Sequence, residues 1–162
     1  MPIKIFTTGG TIDKTYFDQK STYQVGKPQA TGILERANVV VDYEVVSLLQ
    51  KDSLDLDVSD REIIRKAIES EAGKRIIITH GTDTMIKTAD FLQQIPDKTI
   101  VLTGSIYPAQ YRDSDAVLNL GCALVAVQIL EPGVYIAMNG RIFDPRNCVK
   151  NVALNRFEEK ST

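Results

Sequence analysis

Near the start of the chain, two glycines precede a threonine whose hydroxyl could act as a nucleophile. A mostly apolar run over residues 3–6 leads into Thr-Thr-Gly-Gly-Thr at residues 7–11, which predicts a buried strand ending in a sharp turn. Because glycine has no side chain, the backbone at Gly9 and Gly10 can approach a substrate closely, with Thr11 presented beside it. An ordinary connection from a strand to a helix would contain the same residues, so the glycines alone do not decide between these interpretations.

Two further segments place hydroxyl and carboxylate side chains directly after predicted strands. Residues 51–57 read Lys-Asp-Ser-Leu-Asp-Leu-Asp, and residues 79–85 read Thr-His-Gly-Thr-Asp-Thr-Met. A threonine hydroxyl is a poor nucleophile until a neighbouring base activates it. A lysine with a lowered pKa is one candidate for this base, and His80 is another, although a lone histidine at a strand end is more often structural.

The strands that must position these segments are short apolar or β-branched runs. They are predicted over residues 3–6, either 38–42 or 43–49, 75–79, 99–103 and 134–138. Asn139-Gly140 and a further run at 141–143 follow the last strand, which predicts a β-hairpin because Asn-Gly suits a type I′ turn.

The predicted helices alternate with these strands and cover residues 30–37, 60–72, 83–92 and 114–130. This alternation predicts an α/β fold, with an open, mostly parallel sheet, helices on both faces and a C-terminal β-hairpin. Residues 13–30 are predicted to be a long functional loop, and the polar tail up to Thr162 is predicted to be helical or disordered.

The polar segments are expected to meet at one edge of this sheet, since loops at the carboxyl ends of parallel strands lie on the same side. They comprise residues 9–11, 52–55 and 81–84, and each is rich in hydroxyl or carboxylate side chains. Their convergence predicts a binding site for a small polar molecule.

Composition narrows the possible functions. The chain has 162 residues and a formal net charge of -2, which indicates one domain over residues 1–162 without the basic face that nucleic-acid binding requires. No signal peptide and no bilayer-spanning apolar run is visible, so a cytoplasmic protein without membrane contact is expected. Two cysteines and one histidine make a disulfide framework or metal site improbable, and the absence of G-x-G-x-x-G and Gly-Lys-Ser/Thr argues against nucleotide binding. No cofactor is expected.

The segments 8–12 and 79–85, together with the spacing on to Lys150, closely resemble the bacterial-type L-asparaginases. The two motifs are specific in combination, because they lie far apart in the chain and in the right order. The resemblance covers essentially the whole chain, but only the N-terminal catalytic domain of the usual two-domain enzyme. The chain is therefore expected to be a single domain of this type without a second domain.

The resemblance implies catalytic roles for five residues. Thr11 matches the primary nucleophile, and Tyr23 matches the tyrosine of a mobile lid that closes over the substrate. Thr82 and Asp83 match a second threonine and its aspartate, and Lys150 matches the lysine that completes a Thr-Lys-Asp group. The reaction implied is cofactor-independent hydrolysis of the side-chain amide of L-asparagine, with backbone N–H groups near Thr11 and Thr82 holding the oxyanion.

The resemblance also implies which residues bind the substrate. Ser53 matches the residue that binds the substrate α-carboxylate. The other expected binding residues are Gly10, Asp52 and Gly81. In the longer relatives, an acidic residue from a neighbouring subunit's second domain recognises the substrate amino group; here Asp52, Asp55 or Asp113 would have to replace it.

Other interpretations stay open. The chain could be a glutaminase, the amidase component of a tRNA-dependent amidotransferase, or a non-catalytic amino-acid-binding module. Thr82 could simply cap the helix that follows it, with Asp83 complementing the helix dipole.

The predicted helix over residues 114–130 is apolar around most of its circumference, more than one face against a sheet can bury. An exposed apolar stripe predicts a homodimer or higher homo-oligomer. Alternatively, residues 152–157 could fold back over the stripe and leave a monomer.

Overall fold

The computed structural model describes residues 1–162, and its main sheet has six strands. These strands are β1 (Ile3–Gly9), β4 (Tyr43–Lys51), β5 (Arg75–Thr79), β6 (Thr99–Thr103), β7 (Gly133–Met138) and β8 (Arg141–Phe143). They lie in the order β4-β1-β5-β6-β7-β8, with the first five parallel and β8 antiparallel to β7. The predicted fold is confirmed, and of the two candidates for the second strand the later one is correct.

Helices cover both faces of the sheet. They are α1 (Ala30–Arg36), α2 (Val58–Ser70), α3 (Met85–Phe91) and α4 (Ala116–Ile129). Because successive side chains of a strand point to opposite faces, Ile76 and Ile78 of β5 pack with α2 and α3, whereas Ile77 packs with α1 and α4. None of the helices has the length and apolar character needed to span a bilayer.

Two predictions about irregular segments are wrong. Residues 13–30 do not form a long loop but contain an antiparallel hairpin of β2 (Lys14–Phe17) and β3 (Thr22–Val25). The C-terminal tail is neither helical nor disordered, because β9 (Cys148–Asn151) pairs with β10 (Arg156–Glu159). In both hairpins most side chains are exposed, and the strands are too short to show a long alternation of apolar and polar residues. The sequence therefore contained no strand signal at either place.

Local capping explains where α2 starts but not where α3 starts. α2 begins at Val58, earlier than predicted, because the Asp57 carboxylate accepts the Asp60 N–H and the Asp60 carboxylate accepts the Asp57 N–H. α3 begins at Met85 after Thr84, whose side chain makes no capping hydrogen bond. The predicted hairpin turn is confirmed: Asn139 and Gly140 both have positive φ, 53° and 74°, and join β7 to β8.

The sheet order places the predicted site. The chain leaves β1 for β4 on one side and reaches β5 on the other, which opens a crevice at the carboxyl ends of β1 and β5. The three polar segments follow β4, β1 and β5, which are adjacent strands, so they meet at this crevice as predicted.

Candidate active site

The glycine turn after β1 is in direct backbone contact with the turn after β5. Gly9 and Gly10 have φ values of 101° and 84°, in the region that disfavours other residues. A Cβ on Gly10 would lie 2.4 Å from the Gly81 nitrogen, so no side chain fits there. The sequence predicted that this turn approaches a substrate closely, and in the structure its backbone lies against the loop that follows β5. Thr11 and Thr82 are the residues that directly follow the two glycines in contact.

Three predicted residues form one hydrogen-bonded group. The Lys150 Nζ donates to Thr82 Oγ1 at 2.8 Å and to Asp83 Oδ1 at 2.7 Å. Lys150 lies opposite Phe157 in the β9–β10 pair, so the two side chains project on the same face of the hairpin. Because Phe157 is buried in the core, the hairpin turns the lysine toward the sheet edge, where its side chain is only 17% exposed.

Thr82 is not a helix cap. The N-cap residue of α3 is Thr84, and the Thr82 hydroxyl is instead held by Lys150. The capping interpretation of Thr82 is therefore wrong. Thr11, in a short 3₁₀ turn over Thr11–Asp13, is half-buried and makes no hydrogen bond through its hydroxyl within the chain, which leaves that oxygen free.

Ser53 packs directly against Gly81. A Cβ on Gly81 would lie 2.6 Å from the Ser53 Cβ, and Ser53 is almost fully buried. Its Oγ accepts the Thr84 N–H at 3.2 Å, which leaves the Ser53 hydroxyl proton as the group available to a carboxylate.

Asp52 lies between two lysines at the same edge. Its carboxylate pairs with Lys14 at 3.0 Å and accepts the Leu54 N–H at 3.1 Å. Burial acts to raise the pKa of Asp52, but the Leu54 N–H, Lys14 and Lys150 together lower it. Asp52 is therefore anionic and lies close to Lys150. A residue that recognises the positively charged amino group of a substrate must also be anionic.

The remaining predicted residues make no hydrogen bond to the Lys150 group. Tyr23 is 41% exposed on β3, with its ring centroid 5.4 Å from that of Tyr16 and 5.5 Å from that of Tyr111. Asp55 is exposed and has no side-chain hydrogen bond. Asp113 lines a separate cavity of about 570 Å³ together with Tyr111.

His80 is unsuited to act as the base. It is fully buried, its Nδ1 is 2.7 Å from the Gly81 carbonyl oxygen, and its Nε2 is 2.8 Å from the Thr88 Oγ1. Burial is the main cause that lowers its pKa, to about 4. Both ring nitrogens are therefore occupied by hydrogen bonds inside the protein, and the ring is neutral at pH 7.

Two buried charged residues near the site were not predicted from the sequence. Asp13 accepts the Gln29 N–H through Oδ1 at 2.9 Å, and burial raises its pKa to about 7. Arg61 is 2% exposed within α2. The sequence did contain a signal that Arg61 is buried, because its spacing places it on the same helix face as the core residues Ile64 and Ile68. Nothing in the local sequence indicates that Asp13 is buried.

Metal ligands are not clustered anywhere in the chain: no three His, Cys, Asp or Glu side chains lie close enough together to hold an ion.

Comparison with known proteins identifies the family. Residues 2–159 match the family described as "Asparaginase, N-terminal". The chain is 29% identical to the glutaminase-asparaginase of Acinetobacter glutaminasificans over 94% of its own length and 50% of that protein. It is 31% identical to L-asparaginase 2 of Escherichia coli, over 91% of its own length and 46% of that protein.

A solved structure shows the same fold. The thermostable L-asparaginase from Thermococcus kodakarensis superposes with a TM-score of 0.84 at 29% identity, covering 98% of this chain and 51% of that one. The chain thus spans about half the length of the relatives it matches. Together with the motifs at the edge of the sheet, these matches show that the chain belongs to the asparaginase family.

Proposed function

We propose that the chain hydrolyses the side-chain amide of L-asparagine to L-aspartate and ammonia, with Thr11 as the nucleophile. The observation that carries this proposal is the Thr82–Lys150–Asp83 group beside the contact between Gly10 and Gly81. The Thr82 hydroxyl is held by the Lys150 amine, and the nearby Thr11 hydroxyl is free. This pair suits a reaction in which the Thr11 oxygen attacks a carbonyl carbon and the Thr82–Lys150 pair transfers protons. Membership of the asparaginase family supports the same chemistry.

The first half of the reaction forms an ester on the enzyme. The Thr11 oxygen attacks the amide carbon, the C–N bond breaks, and the hydroxyl proton leaves with the nitrogen as ammonia. Backbone N–H groups near Thr11 and Thr82 stabilise the oxyanion. In this proposal, the β2–β3 hairpin closes over the substrate and brings Tyr23 beside Thr11.

The second half releases aspartate. A water attacks the ester carbon, the C–O bond to Thr11 breaks, and one proton of the water passes through the Thr82–Lys150 group to the Thr11 oxygen. Asp83 stabilises the positive charge of the lysine, since its carboxylate is 2.7 Å from Nζ. Ser53 would bind the α-carboxylate of the substrate, and Asp52 would bind its amino group.

Glutaminase activity is the second candidate, favoured by the similarity to a glutaminase-asparaginase. Release of ammonia should be measured with L-asparagine and L-glutamine, and binding of each should be followed by calorimetry. Faster ammonia release from L-asparagine supports the proposal, and faster release from L-glutamine identifies a glutaminase. Binding without ammonia release would overturn both, in favour of an amino-acid-binding module.

The chain is also proposed to assemble as a homodimer or larger homo-oligomer in the cytoplasm. The outer face of α4 exposes Val117, Leu118, Val125 and Ile129, by 55% to 74% of their surface. The C-terminal hairpin does not cover this face, because Phe157 packs on the opposite side of the sheet. An uncharged face can pair with a second copy of itself without bringing like charges together.

A further inference from the structure

Arg61 is a buried charge that forms no ion pair. Its guanidinium makes four hydrogen bonds, all to neutral oxygens. Two go to the Leu56 and Asp57 carbonyls, and two go to the hydroxyls of Thr88 and Thr84. Burying a guanidinium costs several kcal/mol, and an apolar residue would fill the same helix face without that cost. The retained charge therefore calls for a role other than packing.

A series of hydrogen bonds, which we call the first arm, connects Arg61 through Thr88 and His80 to Gly81 at the edge of the site. The Arg61 Nε donates to Thr88 Oγ1 at 2.9 Å, so this hydroxyl is an acceptor toward Arg61 and keeps its own proton to donate. That proton goes to the His80 Nε2 at 2.8 Å, and His80 Nδ1–H donates to the Gly81 carbonyl at 2.7 Å. Every donor and acceptor in this arm has one consistent direction.

A second arm runs from the same guanidinium to Ser53. The Arg61 Nη2 donates to Thr84 Oγ1 at 3.1 Å, and the Thr84 hydroxyl donates to the Ser53 carbonyl at 2.7 Å. The two arms end on residues that are in contact, because a Cβ on Gly81 would lie within 3.0 Å of the Ser53 side chain and backbone nitrogen. Arg61 can only donate and the two carbonyls can only accept, so the direction of both arms is fixed at each end.

We infer that Arg61 is a positioning residue, whose forked guanidinium fixes the loop of Ser53 and the loop of Gly81 and Thr82 against each other. The inference rests on the proposed function for its catalytic consequence. Without Arg61, the Thr88 hydroxyl is free to donate within its own helix and to accept from Nε2–H. His80 would then lose the proton on Nδ1, and the Gly81 carbonyl would lose its donor.

The test uses the single histidine of the chain, which gives unambiguous signals. Histidine ¹⁵N resonances report which ring nitrogen carries the proton, independently of any enzymatic activity. In the wild type at pH 7, Nδ1 alone should be protonated. In Arg61→Met, a tautomer protonated on Nε2 should appear, and in Thr88→Val the Nε2 resonance should shift. Thr84→Val is the matched control and should leave both resonances unchanged.

The kinetics of the same variants separate the two arms. Thr84→Val releases the Ser53 loop, so KM for L-asparagine should rise about tenfold with a smaller change in kcat. Thr88→Val releases the Gly81–Thr82 loop, so kcat should fall about tenfold with a smaller change in KM. Arg61→Met should show both effects. These two threonine variants keep the side-chain shape and carry the test if Arg61→Met does not fold.

The outcomes distinguish this inference from the proposed function. If L-asparagine is not hydrolysed at all, the proposed function fails, but the His80 spectra still decide whether Arg61 sets the network. Unchanged His80 resonances in folded Arg61→Met and Thr88→Val would overturn the inference. Equal changes of kcat and KM in Thr84→Val and Thr88→Val would overturn the assignment of the two arms.

Discussion

Thr11 and Thr82 are adjacent to the same backbone contact but differ in their hydrogen bonding. Thr82 is held by Lys150, whereas the Thr11 hydroxyl has no partner. A fixed hydroxyl suits proton relay, whereas a hydroxyl with no partner inside the chain is free to contact a substrate. This difference supports the assignment of Thr11 as the nucleophile.

Replacing Thr11 by Val removes the hydroxyl and keeps the shape of the side chain. We expect kcat for L-asparagine to fall by roughly three orders of magnitude or more, because no covalent ester can form. Ammonia release measures the effect, and circular dichroism checks the fold. Thr31→Val, on the exposed side of α1, is the matched control and should retain full activity. Near-normal turnover in folded Thr11→Val would reject the nucleophile assignment.

Lys150→Met keeps most of the aliphatic stem and removes the amine that bonds Thr82 and Asp83. We expect kcat to fall roughly 100-fold or more with only a small change in KM, because the amine acts on proton transfer and not on substrate binding. Steady-state kinetics measure both constants. Lys66→Met, on the exposed surface of α2, should behave as the wild type. A change in KM alone would make Lys150 a binding residue.

At the level of secondary-structure elements, the β2–β3 hairpin is attached to the site through Asp13. The Asp13 carbonyl accepts the Gly26 N–H at 2.8 Å and its carboxyl accepts the Gln29 N–H at 2.9 Å. Asp13 therefore holds the end of the hairpin and the start of α1 while lying two residues after Thr11. Motion of the hairpin over the substrate would pivot at this residue.

The buried Asp13 also makes stability depend on pH. Burial raises its pKa from 3.8 to about 7, so between these pH values the folded chain holds a proton that the unfolded chain has lost. The free energy of unfolding should therefore decrease as pH rises through this window and then level off. Asp13→Asn keeps the acceptor oxygen and removes the titration. Relative to the wild type, it should gain about 2 to 3 kcal/mol between pH 5 and pH 8.

Urea denaturation at the two pH values measures this difference. Asp113→Asn is the matched control, because Asp113 is exposed and its replacement should not alter the pH dependence. Parallel stability profiles for the wild type and Asp13→Asn would show that the Asp13 carboxyl ionises normally in the folded chain.

For the whole molecule, the main open surface is the apolar face of α4. A groove of about 520 Å³ runs between α4 and β8 and is lined by Gly121, Val125 and Ile142, among others. A Cβ on Gly121 would meet no atom within 4 Å, so the centre of the face is open to another molecule. These features favour close packing of a second copy.

Introducing a charge at the centre of this face should separate the copies. We expect light scattering at micromolar concentration to give at least twice the chain mass of 18.0 kDa for the wild type. Val125→Lys should reduce the mass to that of the monomer, because a symmetric contact brings the two lysines together. Ile63→Lys places the same change at an exposed apolar position on α2 and should leave the assembly intact. A monomeric wild type would reject the interface.

Elements that depend on a local pattern of residues could be predicted from the chain alone. The apolar runs of β5 and β6 were predicted at their observed bounds, and the Asn139-Gly140 turn followed from the conformational preferences of two residues. The placement of three polar segments at one edge of the sheet also followed from the alternation of strands and helices, because parallel strands place their carboxyl ends together. Their adjacency depends on the sheet order β4-β1-β5. The family was recognisable because each of its two motifs is formed by consecutive residues, at 8–12 and at 79–85.

Contacts between residues that are distant in the chain could not be predicted from local pattern. Lys150 meets Thr82 across 68 residues of chain, on a hairpin whose polar sequence predicted no strand. The burial of Asp13 and the two arms that start at Arg61 likewise depend on partners contributed by other elements. Local sequence records the preference of a residue for helix or strand, whereas the cost of burying a charge is decided by which acceptors and donors the rest of the fold brings to it.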